Sequence, residues 1–179
     1  MSAIDNTQPI EPFLKDFLAS LDIQYQSNYA NVESYATQFA KHLKRTSAVI
    51  VNGSPLIPTN NDSKLEFQKK WLAAPLTQHQ LSSFDCHLIP GTGTFIINLS
   101  CKVKFDESGK NRLGESADLI QDPSVGSTRI NPRPIWSSWF GANINLVVDE
   151  SVLANSSAEV ISSLDYRITF KPENSVIQL

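Results

Sequence analysis

Apolar residues fall at Ile10, Phe13, Leu14, Phe17, Leu18 and Leu21, a spacing of three and four that lines one face of an α-helix. Pro9 suits the first turn of that helix, where its missing N–H is not needed. Tyr29, Val32, Tyr35, Ala36, Phe39 and Leu43 repeat the spacing, so the pattern predicts two helices, or one kinked helix, over residues 10–44. Lys41, His42, Lys44 and Arg45 would then end the second helix, where positive charge suits the helix dipole. The β-branched run Ala48–Val51 predicts a short strand, and a Pro/Asn-rich loop follows from Gly53 to Asp62. Ser63 with Glu66 has the spacing of a capping box and predicts a helix carrying Leu65, Phe67, Trp71 and Leu72, ended by Pro75.

From Gln78 onward the period changes to two. In Thr94–Phe105 the odd positions Phe95, Ile97, Leu99, Cys101, Val103 and Phe105 are all apolar, and the even positions are mostly polar. That alternation predicts a long strand with one dry face. Phe84, Cys86 and Leu88 alternate in the same way. Leu81 has the wrong parity to join them, which predicts a bulge near Ser82 and Ser83. A turn over Pro90–Gly93 pairs Leu88 with Phe95, Cys86 with Ile97 and Phe84 with Leu99, so turn and pattern agree on one register. That register keeps Cys86 far from Cys101, which argues against a disulfide. Two further strands have dry faces at Phe140, Ala142, Ile144, Leu146 and Val148, and at Leu164, Tyr166, Ile168 and Phe170. Helices first and then a meander of long strands predict one α+β domain over residues 1–179, with N-terminal helices in the concave face of a curved antiparallel sheet. Residues 106–132 lack periodicity and read as a long inserted loop, of which Lys110–Ile130 would add little to the core.

Composition narrows the function class. The 179 residues are 41% hydrophobic and 18% charged, with a formal net charge of −3. A dedicated nucleic-acid binder is usually basic, so any RNA contact would need a local patch or a partner. No apolar run is long enough to span a bilayer and Met1–Pro9 is polar, so membrane insertion and secretion are not expected. Cys86 and Cys101 have no close histidine or further cysteine at metal-ligand spacing and read as small hydrophobes.

Three stretches carry a family resemblance. They are Phe84–Thr94 continuing through Cys101–Gly109, then Arg133-Pro134-Ile135-Trp136 with Phe140-Gly141, and Tyr166 to Glu173. Together they resemble the fungal mRNA transport regulators, small subunits of the mRNA-export receptor with a nuclear transport factor 2-like fold. The resemblance implies a heterodimer with the large subunit of the receptor. It also implies contact with phenylalanine–glycine nucleoporins, export of mRNA and large pre-ribosomal subunits, and shuttling between nucleus, nuclear pore and cytoplasm. RNA or pre-ribosomal particles would be reached through the complex. No cofactor or metal is implied.

Parity assigns the outer sheet face to Asp85, His87, Ile96, Asn98, Ser100, Lys102, Asn143, Asn145, Val147, Ser163, Asp165, Arg167 and Thr169. By itself this face is either solvated or an interface. Its few charges fit an interface centre, and the resemblance favours that role. Arg167 would be the anchor, because a guanidinium holds a carboxylate with two parallel bonds. Lys110, Arg112 and Arg129 are the basic candidates for docking by the long loop. Trp136 and Trp139 read as core, partner contact or pocket.

The same fold also hosts isomerases and dehydratases, and a homodimeric ligand-binding module would use the same face. Such an enzyme needs an acid or base inside the cone. The dry strand faces offer no Asp or Glu, only His79 and the Tyr166 hydroxyl, so no catalytic residue is assigned.

Overall fold

The computed structural model describes residues 8–115, 117, 134–155 and 158–179. Helix α1 spans Ile10–Leu21 and buries Ile10, Phe13, Leu14, Phe17, Leu18 and Leu21, the whole predicted stripe. Pro9 stands at its N-cap without a side-chain bond.

The second helix is much shorter than its pattern. Helix α2 covers only Val32–Ala36, capped by Asn31 Oδ1 accepting from Ser34 N at 2.8 Å. Ala40 then adopts φ 45° and turns the chain, and Leu43 already starts strand β1, Leu43–Val51. Lys44 and Arg45 therefore lie in a strand, not at a helix end. His42 is fully buried, with Nε2 3.2 Å from Asp16 Oδ2. The His42 carbonyl accepts from both Val160 N and Ile161 N, which fastens the start of β1 to the last strand.

A tight turn leads to β2, Ser54–Pro55, and then to helix α3, Ser63–Ala73. The cap of α3 is Asp62, which accepts from Leu65 N at 2.9 Å, not the expected Ser63. Ser63 Oγ instead donates to the carbonyls of Arg45 and Ser47, tying α3 to β1. Leu65 is exposed, while Gln68 is buried and donates to the carbonyls of Thr37 and Phe39.

Four long strands follow: β3 Thr77–Ile89, β4 Thr94–Phe105, β5 Phe140–Asp149 and β6 Ile161–Phe170. They form one six-stranded sheet in the order β2-β1-β6-β5-β4-β3. All neighbours are antiparallel except β1 and β6. The pairs Leu88–Phe95, Cys86–Ile97 and Phe84–Leu99 occur as the turn predicts, and the bulge lies between Leu81 and Ser83. Both cysteines are free.

Every predicted dry-face residue of β4 and β5 is buried, and these side chains close over α1 and α3. Strand β6 departs from simple alternation. Ile168 pairs with Ala142 but Phe170 pairs with Gly141, so one extra residue sits in β6. The bulge carries Phe170 to the outer face, where it is 60% exposed.

The segment after β4 is not a passive insertion at its start. Asp106 accepts from Ser108 N, Ser108 Oγ and Ile135 N, all at 2.9 Å. Asp106, Ser108 and Arg112 are all buried. The expectation that Lys110–Ile130 adds little to the core therefore fails at Arg112.

Candidate functional site

Strand register lays the outer face out in rows that run across the sheet. One row is His87, Ile96, Val147, Ser163 and Ala48, small and largely apolar. The next is Asp85, Asn98, Asn145, Asp165 and Ile50. Then come Ser83, Ser100, Asn143 and Arg167, and after them Gln80, Lys102, Gly141 and Phe170. The structure thus brings Asp85, His87, Ile96, Asn98, Ser100, Lys102, Asn143, Asn145, Val147, Asp165 and Arg167 together on one surface, and Thr169 sits in the bulge at its end.

At the centre three amides bond to one another. Asn98 Nδ2 donates to Asn145 Oδ1 at 2.5 Å, and Asn143 Nδ2 donates to Asn98 Oδ1 at 3.2 Å. These bonds hold the polar groups in place before any partner arrives, which lowers the ordering cost of an interface. Asp165 Oδ1 is buried and has no partner among the described residues. A buried acceptor left unpaired is unfavourable, and such groups call for an explanation.

Sequence parity put Phe170 on the dry face and so missed it here, while it left Trp139 as core, contact or pocket. Trp139 is 38% and Phe170 60% exposed. Lys104 Nζ sits 4.9 Å from the Trp139 ring centre and 5.6 Å from that of Trp136. Gly141 lies between them, and a Cβ there would come within 3.0 Å of Thr169 Oγ1 and 3.2 Å of Phe170 Cβ. Glycine therefore keeps a notch beside the Phe170 ring. The signal that was available is Gly141 itself, because a strand glycine often marks a close approach or a bulge.

The three basic loop residues do not form a group. Lys110 is half-buried, and Arg129 lies outside the described residues. Arg112 is buried, contrary to the docking role expected of it. Its Nε donates to the Trp71 carbonyl at 3.0 Å and its Nη2 to Thr77 Oγ1 at 2.8 Å. The guanidinium lies 5.1 Å from the Phe39 ring centre and 5.2 Å from that of Trp71. Burial lowers its pKa to about 10, so it remains a cation at neutral pH.

The cone interior holds a carboxylate that the strand faces did not reveal. Asp22, at the C-cap of α1, reaches in from the helix side. Its Oδ1 lies 2.6 Å from His79 Nδ1 and its Oδ2 accepts from His79 N at 2.7 Å. His79 Nε2 lies 2.7 Å from the Tyr166 hydroxyl. Burial raises the pKa of Tyr166 well above its usual value, so it is a neutral phenol. Both ring nitrogens of His79 are thus taken up within the chain, and the ring is fully buried. The adjoining depression of about 290 Å³, between α1 and β3, is met by no free atom of the imidazole. This Asp22–His79–Tyr166 set is arranged as a structural relay.

The profile of the family "Nuclear pore RNA shuttling protein Mtr2" matches residues 4–179. The mRNA transport regulator MTR2 of Candida albicans is 57% identical over 180 residues, covering 98% of each chain. The protein of that name from Saccharomyces cerevisiae is 33% identical over 187 residues, covering all of this chain and 95% of its own. A crystal structure of the C. albicans Mtr2–Mex67 M domain complex contains a chain that superposes with a TM-score of 0.80 at 57% identity, covering 95% of this chain and 99% of that one. A nuclear transport factor 2-like protein from Salmonella enterica, 8% identical, superposes with a TM-score of 0.53 over 96% of this chain and 94% of its own, a likeness of fold alone. The chain belongs to the Mtr2 family of nuclear pore RNA shuttling proteins.

Proposed function

We propose that this protein is the small, non-catalytic subunit of a nuclear mRNA-export receptor, and that its outer sheet face docks on the M domain of a Mex67-type large subunit. The observation that carries this is the ordered, charge-poor face with its bonded amides, an unpaired Asp165 oxygen and Arg167 beside them. A relative sharing 57% of the sequence is found in complex with such an M domain. Asp85, His87, Ile96, Asn98, Ser100, Lys102, Asn143, Asn145, Val147, Asp165, Arg167 and Thr169 would form the contact, with Phe170 added.

On this account the heterodimer works at the nuclear pore, engages phenylalanine–glycine nucleoporins, and carries mRNA and large pre-ribosomal subunits. Catalysis has no place in it: His79, the imidazole next to the depression between α1 and β3, spends both nitrogens on Asp22 and Tyr166. The test is sedimentation of the full chain, alone and with the M domain. A one-to-one heterodimer is expected, weakened by Arg167→Asp by about 2–5 kcal/mol if its carboxylate partner is buried. A stable homodimer that refuses the M domain, or a mutant that binds undiminished, would contradict the proposal.

A further inference from the structure

The two edges of the sheet differ. Strand β2 and helix α3 cover the β1 edge: Leu56 N donates to the Val49 carbonyl, and Ser63 Oγ donates to the carbonyls of Arg45 and Ser47. The other edge is β3. Helix α1 covers its first half, where Asp22 Oδ2 accepts from His79 N. Past the bulge, residues 83–89 bond only to β4 and the adjoining turn among the described residues. Leu88 is 43% exposed there, and Phe84 and Cys86 are half-buried. Natural edge strands are blunted by lysine, charge or proline, and Thr77–Ile89 has no lysine, arginine or proline.

The sheet register fixes which backbone groups are free. Asp149 N donates to the Val160 carbonyl, so the odd residues of β5 turn their backbone toward β6 and the even ones toward β4. Carried through the β5–β4 and β4–β3 pairs, this turns Ser83, Asp85, His87 and Ile89 toward β4. The N–H and C=O of Phe84, Cys86 and Leu88 therefore point out of the sheet edge.

The run Phe84-Asp85-Cys86-His87-Leu88 is complementary to itself when reversed. About a two-fold axis at Cys86, the outward backbone groups of two copies meet in antiparallel phase. Phe84 then lies against Leu88 of the second copy, and Leu88 against its Phe84. On the outer side Asp85 meets His87 of the second copy, and His87 meets its Asp85, so an imidazole N–H faces a carboxylate at both. A slip of one residue loses the hydrogen-bond phase. The nearest in-phase axes, at Asp85 or His87, set like residues against each other, which disfavours them.

We propose that this edge is a self-association site, at which β3 of one copy pairs antiparallel with β3 of a second about Cys86. The outer face stays open, so each copy keeps room for its own M domain, and the proposal does not depend on that interface.

Sedimentation of the full chain from micromolar to millimolar concentration tests it, alone and with the M domain. A reversible dimer is expected, and with the M domain a pair of heterodimers. Cys86→Lys sets two ammonium groups together on the axis and should weaken self-association about tenfold or more, with the thermal midpoint lowered by no more than about 4 °C. Asp85→Lys should weaken it about tenfold, because the lost pair occurs twice. Adding His87→Glu to Asp85→Lys rebuilds the pair with its signs exchanged and should restore association, which keeps the test sound should Cys86→Lys disturb the strand. A short bis-maleimide should link two chains through Cys86, whose Cβ atoms would stand about 5 Å apart. A chain monomeric throughout, or a dimer indifferent to Cys86→Lys and Asp85→Lys, would overturn the proposal. So would a dimer that the M domain dissociates, since it would use the outer face.

Discussion

Replacing Arg112 by methionine should destabilise the protein more than any surface change. The arginine makes charged hydrogen bonds to the Trp71 carbonyl and Thr77 Oγ1 and lies against two aromatic rings. Methionine fills much of the same volume but returns none of the polar contacts. A charge-assisted bond contributes about 1.5–3 kcal/mol and a buried cation–ring contact about 1–2 kcal/mol. Against this, methionine avoids the desolvation of a buried guanidinium, which also has one nitrogen, Nη1, without a partner. Losing the charged donor to the Trp71 carbonyl and Thr77 Oγ1 nets about 3–5 kcal/mol of destabilisation, because those acceptors stay buried. For a chain of this length each kcal/mol moves the midpoint by about 2–4 °C, so a fall of roughly 6–20 °C is expected. Lysine should recover little, since it lacks the planar fork that spans Trp71 and Thr77. The assay is thermal and denaturant unfolding of the isolated chain, with tryptophan fluorescence reporting on Trp71. A methionine variant as stable as the parent would show that the Arg112 contacts are not made in solution.

Phe170→Ser should leave the thermal midpoint almost unchanged, because the ring is largely exposed, yet weaken M domain binding in a titration; equal affinity would remove Phe170 from the contact. Burial holds the His42 pKa below its usual value against the pull of Asp16 and with that of Lys41 and Lys64. The unfolded chain then takes up the proton more readily, so stability from this site is complete above about pH 6.5 and is lost as pH falls below it. His42→Phe should flatten that part of a pH series of unfolding midpoints, and an unchanged slope would refute the assignment. A short Gly/Ser linker in place of residues 118–132 should leave folding and M domain binding intact, since halving a loop changes closure by only about 0.6 kcal/mol. The same replacement over 110–130 removes Arg112 and should lower the midpoint as the single substitution does. Equal midpoints in the two variants would contradict the structural role given to Arg112.

The sheet was legible because its signal is redundant. Parity over Thr94–Phe105, the Pro90–Gly93 turn and the odd parity of Leu81 each point to the same register, and all hold in the structure. What escaped depends on single residues that periodicity does not weigh. Tyr35, Phe39 and Leu43 keep a helical spacing and are all buried, yet Ala40 turns the chain between them. Phe170 continues the alternation of β6 until one bulged residue reverses it. Asp22 and Arg112 lie on a helix end and in a loop, so no strand pattern could place them inside the cone. The outer face was legible as a set of positions, while the place of Phe170 at its end is a product of tertiary structure.

The central claim is that the outer face is covered by the large subunit. In a Cys86→Ser background, single cysteines at Ser100 and Asn145 on that face, and at Lys15 on the exposed side of α1, are to be alkylated with and without the M domain. Cys101 is buried and its thiol pKa is pushed up to about 12, so it stays silent. The account predicts that the complex slows alkylation at positions 100 and 145 by about tenfold or more while position 15 reacts as before. Unchanged rates at 100 and 145, with protection at 15, would place the partner on the helices and contradict it.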